Sequence, residues 1–468
     1  MVTQMKIDIL VAEIGSTTTL VNAFGNIDGD ATFIGSGSAP TSVLQGDVNI
    51  GLAAAVQSLS HNTKATEDGR PYNLQSPAHF LATSSAAGGL RMTIHGLVYD
   101  MTVKAGQEAA LGAGANIHLA TAGKLTPQDL AQIDKVAPNL ILLAGGTDYG
   151  DRETALHNAE ILCSLKSLAP VIYCGNVQNQ AAVEEMFAAA NKRLYITENV
   201  YPRLDELNIE PVRALIHRAF EDHITEAPGM ADIRNTVDGA IMPTPGAVMA
   251  AAQLLHNEIG DLLVVDVGGA TTDIHSVTEG SEEIALLQIS PEPLAKRTVE
   301  GDLGVYINAR NLAEMIGIDK LSTEIGMDAA LIFNNYQPIP TNNEQLALTT
   351  RLAYHAARLA IIRHAGTLRH TYGATGRQTH AMGKDLTAVR HLVATGGALT
   401  RLPGRHTVLQ SLAVLNSAGT MLYPKPSSNL NILEDSQYIM ASIGVLSRNF
   451  PKVAKALLKK YIVPPSSS

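Results

Sequence analysis

Two apolar runs in the chain end in the same way, with an acidic residue, one apolar residue and a glycine. The first run covers residues 6–15 and contains Glu13, and the second covers residues 262–268 and contains Asp266. A continuous aliphatic run of this length is typical of a strand that is buried on both faces. Each glycine is followed by small or hydroxyl-bearing residues and then by another apolar run, which predicts a hairpin in both places.

The remaining pattern predicts alternating strands and helices. Residues 140–197 read as strands and helices joined by short loops, which predicts a parallel α/β unit. The other predicted elements are helices at residues 41–60, 245–255, 345–371 and 435–447, a mostly helical stretch at 99–122, and strands at 78–83 and 391–395, the second of which leads into a Gly-Gly turn.

Composition and charge narrow the classes of function. The 468 residues carry a formal net charge of −10, which argues against nonspecific binding to nucleic acid or to an anionic membrane, because both need a basic surface. No apolar run approaches the roughly 20 residues that a membrane span requires. The two cysteines show neither metal-ligand nor disulfide spacing, and the N-terminus shows no secretory signal. These observations predict a cytoplasmic protein of two or three domains.

The residues around Asp266 have two interpretations. An unpaired carboxylate at the end of a buried strand is costly, whereas a carboxylate beside backbone amides and hydroxyls suits a hydrated Mg2+ ion at a phosphate pocket. Gly268 and Gly269 permit close approach of such a ligand, and Thr271 and Thr272 offer hydroxyls. The alternative is a buried strand with a tight Gly-Gly turn, and the second copy of the pattern at Glu13 favours the phosphate pocket.

The order of five motifs resembles that of the sugar kinase, Hsp70 and actin superfamily. The motifs are a first phosphate loop at residues 13–18, a first connecting helix at 243–252, a second phosphate loop at 266–273, an adenosine loop at 395–403 and a second connecting helix at 435–444. This resemblance implies an α/β, two-lobed actin/Hsp70-like ATPase fold with duplicated ribonuclease H-like domains. We expect the first lobe at residues 1–93 and 236–262, an inserted parallel α/β domain at 94–235, the second lobe at 263–455 and a C-terminal tail at 456–468.

Three further segments resemble the MutL (GlmL) family, which accompanies adenosylcobalamin-dependent mutases and is unrelated to the mismatch-repair protein of the same name. The segments lie at residues 84–92, 142–148 and 298–304. The resemblance implies an ATP-dependent reactivating chaperone that exchanges damaged cofactor on a partner mutase or aminomutase of the glutamate mutase type. It implies ATP or ADP with Mg2+ as cofactors and cobalamin only through the partner enzyme. Nucleic acid and membrane are not expected as partners, and a homodimer is left open.

The resemblance also assigns roles to individual residues. Asp266 and Glu13 are the expected catalytic and metal-binding acids, with Asp266 holding hydrated Mg2+ and polarising the attacking water. Asp273 is expected to position water or to brace its loop, and a turn-capping role fits it equally well. The residues expected to bind the nucleotide are Gly15, Ser16, Thr17 and Thr18 in the first loop, Gly268, Gly269, Ala270, Thr271, Thr272 and Asp273 in the second, Gly301 and Asp302 near the phosphates, and Gly396, Gly397 and Ala398 against the nucleoside.

Two departures from the superfamily pattern lower the expected rate of ATP hydrolysis. The first loop begins with Glu13 where the superfamily usually has Asp, and Leu20 follows Thr19 where a basic residue is usual. A weak ATPase is therefore expected. Two alternatives stay open: a small-molecule kinase, for which Asp148 and Asp151 are candidate catalytic bases, and a scaffold that binds nucleotide without turnover.

Overall fold

The computed structural model describes residues 5–15, 18–42, 46–62, 72–73, 77–85, 90–224, 229–373, 376–415, 419–426 and 429–463. Among these residues, no helix combines the length and the apolar character that crossing a membrane demands.

The N-terminal part of the chain forms most of one sheet and a helix that covers it. Strands β2 and β3 are antiparallel neighbours and are almost completely buried, as their aliphatic sequences lead us to expect. Helix α1 packs on β3 and β4 and buries Val48, Ala55 and Leu59, whose spacing places them on one face. The bounds of these elements are β1 (Met5–Lys6), β2 (Ile9–Ile14), β3 (Thr18–Gly25), β4 (Thr32–Pro40), α1 (Val48–Asn62), β5 (Tyr72–Asn73) and β6 (His79–Ser84).

An inserted domain follows, with a five-stranded parallel sheet of its own. Its elements are β7 (Arg91–Gly96), a π-helical turn at Tyr99–Val103, α2 (Lys104–Gly112), β8 (Asn116–Ala122), α3 (Pro127–Val136), β9 (Leu140–Leu143), α4 (Glu153–Cys163), β10 (Val171–Tyr173), a 3-10 turn at Val177–Asn179, α5 (Gln180–Ala189), β11 (Leu194–Ile196), α6 (Glu210–Ile224) and α7 (Met230–Thr236). The strand order β11-β10-β9-β7-β8 makes this a doubly wound unit.

The prediction of a mostly helical stretch at residues 99–122 was wrong for its second half. Helix α2 ends at Gly112, and Gly114 adopts a φ of +91°, a left-handed conformation that ends the helix. The following residues form β8 and pair in parallel with β7. The sheet of the inserted domain also starts at Arg91, earlier than the expected boundary at residue 94.

The chain then returns to the first sheet and continues into the second lobe. The returning elements are β12 (Met242–Pro243), which pairs in parallel with β6, and α8 (Thr244–Ile259). The second lobe contains β13 (Leu262–Val267), β14 (Thr272–Val277), α9 (Glu282–Ala285), β15 (Ala295–Glu300), α10 (Ala309–Ile316), α11 (Ile318–Ile325), α12 (Ala329–Phe333), α13 (Asn343–His364), β16 (Thr367–Gly373), β17 (Gly376–Met382), β18 (His391–Thr395), α14 (Gly397–Arg401), α15 (Arg405–Ala413), β19 (Asn431–Glu434), α16 (Met440–Asn449) and α17 (Pro451–Tyr461).

Three predicted element bounds in this lobe were wrong. The long helix expected at 345–371 ends at His364, because Gly366 donates its amide to the carbonyl of Lys384 at 2.7 Å and the chain then enters the β16–β17 hairpin. The helix expected from residue 435 begins at Met440. The segment expected as a tail from residue 456 continues α17 to Tyr461, with Leu457 and Leu458 buried.

The two lobes contain sheets of the same design. One sheet has the order β12-β6-β2-β3-β4, and the other has the order β19-β18-β13-β14-β15. In each, three strands are antiparallel neighbours and two further strands add in parallel on the other side of the central strand. This duplication confirms the predicted two-lobed actin/Hsp70-like fold with an inserted parallel α/β domain.

The helices α8 and α16 cross between the lobes. An alanine at Gly444 would place its Cβ 1.8 Å from the carbonyl oxygen of Ala247, so the two backbones meet at a point that only glycine permits. Apolar side chains from α8, α16, α17 and strands of both sheets form one continuous core around this crossing. The crossing is therefore a closely packed part of the core that the two lobes share.

Candidate functional site

An equivalent backbone hydrogen bond closes the turn of each acid-containing hairpin. The amide of Gly15 donates to the carbonyl of Thr18 at 3.0 Å, and the amide of Gly268 donates to the carbonyl of Thr271 at 2.9 Å. Glu13 and Asp266 precede these turns by the same spacing, each on the central strand of its sheet. Of the other residues predicted for the first loop, Thr18 begins β3 and is exposed, whereas Ser16 and Thr17 lie outside the described residues.

Glu13 and Asp266, here called the acid pair, influence each other across the boundary between the lobes. Burial and, to a smaller extent, the carboxylate of Asp435 raise the pKa of Glu13 to about 7, and Arg401 opposes this shift. Burial also raises the pKa of Asp266 well above its usual range, and the carboxylates of Asp273 and Glu13 add to that rise. The structure thus brings the two predicted catalytic acids together at one place.

The acid pair has no cationic partner in the described part of the chain. No Lys, Arg or His side chain there forms an ion pair with Glu13 or Asp266, whereas Asp273 is paired with Arg297. Glu13 is buried and Asp266 is half-buried, and two carboxylates in such a position without an ion-pair partner are costly unless a proton or a cation joins them. No group of three or more His, Cys, Asp or Glu side chains that could hold a metal occurs among the same residues. A cation at the acid pair would therefore keep several water or phosphate ligands, as Mg2+ does.

Asp435 belongs to the same cluster, although the sequence pattern placed it only at the start of the second connecting helix. Its Oδ1 accepts a hydrogen bond from the amide of Ile439 at 2.8 Å, and its Oδ2 accepts from the amide of Met440 at 2.9 Å and from the hydroxyl of Thr395 at 3.0 Å. Burial raises the pKa of Asp435, and these donors oppose the shift. The side chain of Asp435 thus caps the start of α16, although it lies five residues before Met440, the first helical residue.

The second phosphate loop directs its carbonyls towards the protein. The carbonyl of Gly269 accepts from the amides of Tyr306 at 2.9 Å and Ile307 at 2.8 Å, and the carbonyl of Ala270 accepts from Asn308 Nδ2 at 3.0 Å. Within the described residues, no acceptor binds the amides of Gly269, Ala270 and Thr271. Consecutive amides without an acceptor, on a loop whose carbonyls are held from behind, form a cradle for an anion.

Two of the predicted loop residues have structural partners. The hydroxyl of Thr272 is buried and donates to the carbonyl of Leu303 at 2.8 Å. Asp273 accepts from the hydroxyl of Thr271 at 3.0 Å and from Arg297 Nε at 2.7 Å. Of the roles expected for Asp273, these contacts correspond to bracing the loop.

The turn that carries Gly301 and Asp302 is tied to the second phosphate loop. Asn308 Nδ2 donates to the carbonyl of Gly301 at 2.6 Å as well as to that of Ala270. Asp302 receives two hydrogen bonds from Arg363, at 2.8 and 3.0 Å, and Arg363 also pairs with Glu300. No local pattern in the sequence singles out Asn308, because its partners lie on two separate loops.

The predicted adenosine loop lies against the acid pair. Gly396 has a φ of +82°, and a Cβ at this position would lie 2.3 Å from Asp266 Oδ1. A Cβ at Gly397 would meet no atom within 4 Å, whereas Ala398 is buried in the short helix α14. Gly396 therefore allows Asp266 to sit directly over the start of this loop.

An open cavity of about 470 Å³ lies beyond the adenosine loop, between α11 and α13. On its wall, Glu324 accepts hydrogen bonds from Arg351 Nε at 2.5 Å and His355 Nε2 at 2.7 Å, and these partners lower its pKa to about 2. The cavity has the size of a small-molecule site. Its lining residues are Glu324, Ile325, Asn343, Leu346, Ala347, Thr350, Arg351, Pro403 and Gly404.

Comparison with known proteins shows that this chain is similar to members of one protein family. The family described as MutL protein matches residues 9–462. The chain is 34% identical over 469 residues to Protein MutL of Clostridium tetanomorphum, which covers 97% of this chain and 99% of that protein.

Solved structures match over most of the chain but only loosely. Nucleotide-free acetone carboxylase aligns with 94% of this chain and 70% of its own at 10% identity and a TM-score of 0.36. The ethanolamine utilization protein EutJ of Carboxydothermus hydrogenoformans aligns with 93% of this chain and 88% of its own at 11% identity and a TM-score of 0.28. At scores this low, the fold assignment rests on the strand order described above.

Proposed function

The chain belongs to the MutL protein family, and from this premise we propose that it is a cytoplasmic, nucleotide-driven reactivating chaperone for an adenosylcobalamin-dependent mutase or aminomutase of the glutamate mutase type. Nucleotide binding between the lobes would drive the exchange of damaged cofactor on the partner enzyme. The observation that carries the nucleotide part of this proposal is the acid pair, which forms no ion pair among the described residues and lies between two turns that are closed by the same backbone hydrogen bond.

ATP would bind with its phosphates between residues 15–18 and 268–271. The amides of Gly269, Ala270 and Thr271 would donate to phosphate oxygens, and the hydrogen bond from Asn308 to the carbonyl of Ala270 would hold the loop in place. Glu13 and Asp266 would hold Mg2+ through its water shell, and the ion would offset the charge of the phosphates. The cavity next to Pro403 and Gly404 would take the nucleoside.

With a cation that keeps its carboxylate ionised, Asp266 would orient the attacking water and accept its hydrogen bond. Phosphoryl transfer depends mainly on positioning and charge stabilisation, so no covalent nucleophile is needed. Glu13 has a pKa of about 7 and is only partly ionised near neutral pH when no cation is bound. We therefore expect slow turnover, in keeping with a chaperone that uses ATP to change shape.

A small-molecule kinase is less well supported, because its two candidate bases are already engaged. Asp148 Oδ1 accepts from the amide of Val177 at 2.9 Å and from Asn199 Nδ2 at 2.9 Å. Asp151 Oδ1 accepts from the amide of Thr154 at 3.1 Å at the start of α4. Both acids stabilise loops of the inserted domain. The other alternative is a scaffold that binds nucleotide without turnover, and a measurement of the ATP hydrolysis rate distinguishes it from the proposed chaperone.

Calorimetry with ATP and ADP in the presence of Mg2+, followed by an ATPase assay, tests the nucleotide site. We expect Asp266→Ala to reduce the ATPase rate by about a hundredfold or more, because it removes the group that positions water. Asp261→Asn, at the opposite end of the same strand, serves as the matched control and is expected to behave as wild type. Absence of ATP and ADP binding by wild-type protein would refute the proposal, and equal ATPase rates in wild type and Asp266→Ala would mean that Asp266 is not catalytic. Nucleotide binding without hydrolysis by wild type would leave the binding scaffold.

The chaperone part is tested with an inactivated mutase. Wild-type protein, ATP and intact adenosylcobalamin should together restore mutase activity, and Asp266→Ala should restore little. Recovery that is equally fast without ATP would contradict a nucleotide-driven exchange.

A further inference from the structure

Arg297 on β15 joins the second phosphate loop to the inserted domain. The side chain is only 1% exposed, and its Nε donates to Asp273 Oδ1 at 2.7 Å. Its Nη1 donates to the carbonyl of Leu111 at 3.1 Å and to that of Ala115 at 3.3 Å. These carbonyls lie at the C-terminal end of α2, which carries partial negative charge. The planar guanidinium of Arg297 thus contacts the second phosphate loop and the inserted domain at the same time.

Asp273 extends this connection to the acid pair. Its Oδ2 accepts the hydroxyl of Thr271 inside the phosphate loop at 3.0 Å. Asp273 also stands directly opposite Asp266 in the antiparallel ladder, where like charges are unfavourable and a counterion is needed. Arg297 supplies that counterion and opposes the rise in the pKa of Asp266. A displacement of Arg297 therefore acts on both the shape and the electrostatic field of the loop.

The interface around Arg297 is ionic. Lys104 of α2 pairs with Glu292 at 2.6 Å, and Lys296 of β15 pairs with Glu108 of α2 at 2.7 Å. All four residues are largely removed from solvent, so each pair depends on the relative position of the inserted domain and β15.

The same region also holds buried polar atoms that find no hydrogen-bond partner among the described residues. They are Glu108 Oε2, Arg213 Nε, His217 Nδ1 and both ring nitrogens of His275. Each such atom costs free energy in this arrangement. An arrangement that gave some of these atoms a hydrogen-bond partner would offset part of the free energy lost with the ion pairs it broke.

We propose that Arg297 is a positioning residue that couples the phosphate loop to the inserted domain, and this inference rests on the proposed nucleotide site. Phosphate bound at residues 268–271 shifts Thr271 and Asp273, and Arg297 transfers the shift to the end of α2. By thermodynamic linkage, a partner that grips the inserted domain and moves α2 changes nucleotide affinity by the same factor. The inserted domain is then the part that senses the partner, and Arg297 carries its signal.

Hydrogen exchange of the α2 amides, with and without Mg2+ and nucleotide, measures this coupling. In wild-type protein we expect nucleotide to change exchange in residues 104–112 by about fivefold or more. Arg297→Lys keeps a positive charge beside Asp273 but lacks the planar set of donors that spans both bodies. We expect it to bind nucleotide within about tenfold of wild type while its exchange changes by less than about twofold.

Lys104→Met is the matched control, because it removes an ion pair from the same interface without touching Asp273. It should keep the full nucleotide-dependent change. A full change in Arg297→Lys would overturn the proposal, and so would nucleotide binding by wild type with no change in α2. Wild type that binds no nucleotide in calorimetry refutes the proposed function itself, a separate result.

If Arg297→Lys unfolds at the working temperature, Asp273→Asn breaks the same link from the other side. Asparagine retains an acceptor for Thr271 but loses the charge that holds Arg297. The same loss of the exchange response is expected, and a retained response would overturn the proposal.

Discussion

At the scale of the residue, the site is defined by which carboxylates have partners. Asp273 is paired with Arg297, and Asp435 accepts hydrogen bonds from backbone amides. Glu13 and Asp266 form no ion pair among the described residues, and burial is the main cause of their raised pKa values. This distribution separates the acids that brace the site from the pair that is available to a cation.

Glu13 should make the stability of the protein depend on pH in the absence of nucleotide and Mg2+. Its folded pKa of about 7 lies above the ordinary 4.5, so the folded state retains a proton that the unfolded state releases between these values. Stability therefore falls as pH rises through this window. We expect Glu13→Gln to reduce the difference in unfolding free energy between pH 5 and pH 8 by roughly 2 kcal/mol.

Urea unfolding at the two pH values measures this difference. Glu283→Gln, a change at an exposed glutamate at the start of α9, is the control and should leave it unaltered. An unchanged pH dependence in Glu13→Gln would show that Glu13 is not the titrating group.

The adjacent glycines of the adenosine loop should respond differently to alanine. Gly396→Ala places a Cβ against Asp266 in a left-handed conformation, and we expect a loss of about 1–3 kcal/mol in unfolding free energy together with weaker nucleotide binding. Gly397→Ala meets no atom within 4 Å and should cost less than about 1 kcal/mol. Chemical unfolding and calorimetry on the two variants check this order, and equal effects would contradict it.

The sequence was sufficient to predict the acid pair and the glycines but not the residues that support them. Glu13 and Asp266 stand in a repeated local pattern, which one sequence can display. Arg297 and Asn308 act through carbonyls and carboxylates that lie on other loops or another domain. Their roles arise only when the chain has folded.

At the scale of the element, the crossing of α8 and α16 is the point that tolerates least change. We expect Gly444→Ala to lower the unfolding free energy by about 1–3 kcal/mol, because its Cβ cannot fit against Ala247 without separating the helices. Ser447→Ala, in which the lost hydroxyl bonds the helix's own carbonyl at Gly444, is the control on the same helix. Urea unfolding should rank the two, and a stable Gly444→Ala variant would mean that the crossing can open without cost.

Element bounds were predicted least well where tertiary pairing decides them. Apolar spacing in residues 365–371 continues that of the long helix, yet these residues pair with β17 and the neighbouring loop. Residues 116–122 have an Ala-containing composition suited to a helix, yet β7 offers them a parallel partner. Periodicity describes one face of an element and says nothing about an available strand edge.

At the scale of the whole molecule, the duplication of the two lobes could be predicted from the sequence, whereas the docking of the inserted domain could not. The repeated acid, glycine and hydroxyl pattern marks both hairpins, and the strand orders of the two sheets agree with it. The docking depends on ion pairs such as Lys296 with Glu108, whose members are far apart along the chain. When the members of an ion pair are this far apart in the sequence, no local sequence pattern predicts that they will pair.

The parallel pairing of β12 with β6 also sets an order of events during synthesis. β6 ends at Ser84 and its neighbour begins at Met242, so the whole inserted domain is translated between them. At about 5–20 residues per second, a ribosome needs roughly 8–30 s for this interval. The inserted domain can fold within that time as a unit of its own, whereas the first sheet keeps an open edge at β6. The first lobe is thus begun before the inserted domain and finished only after it.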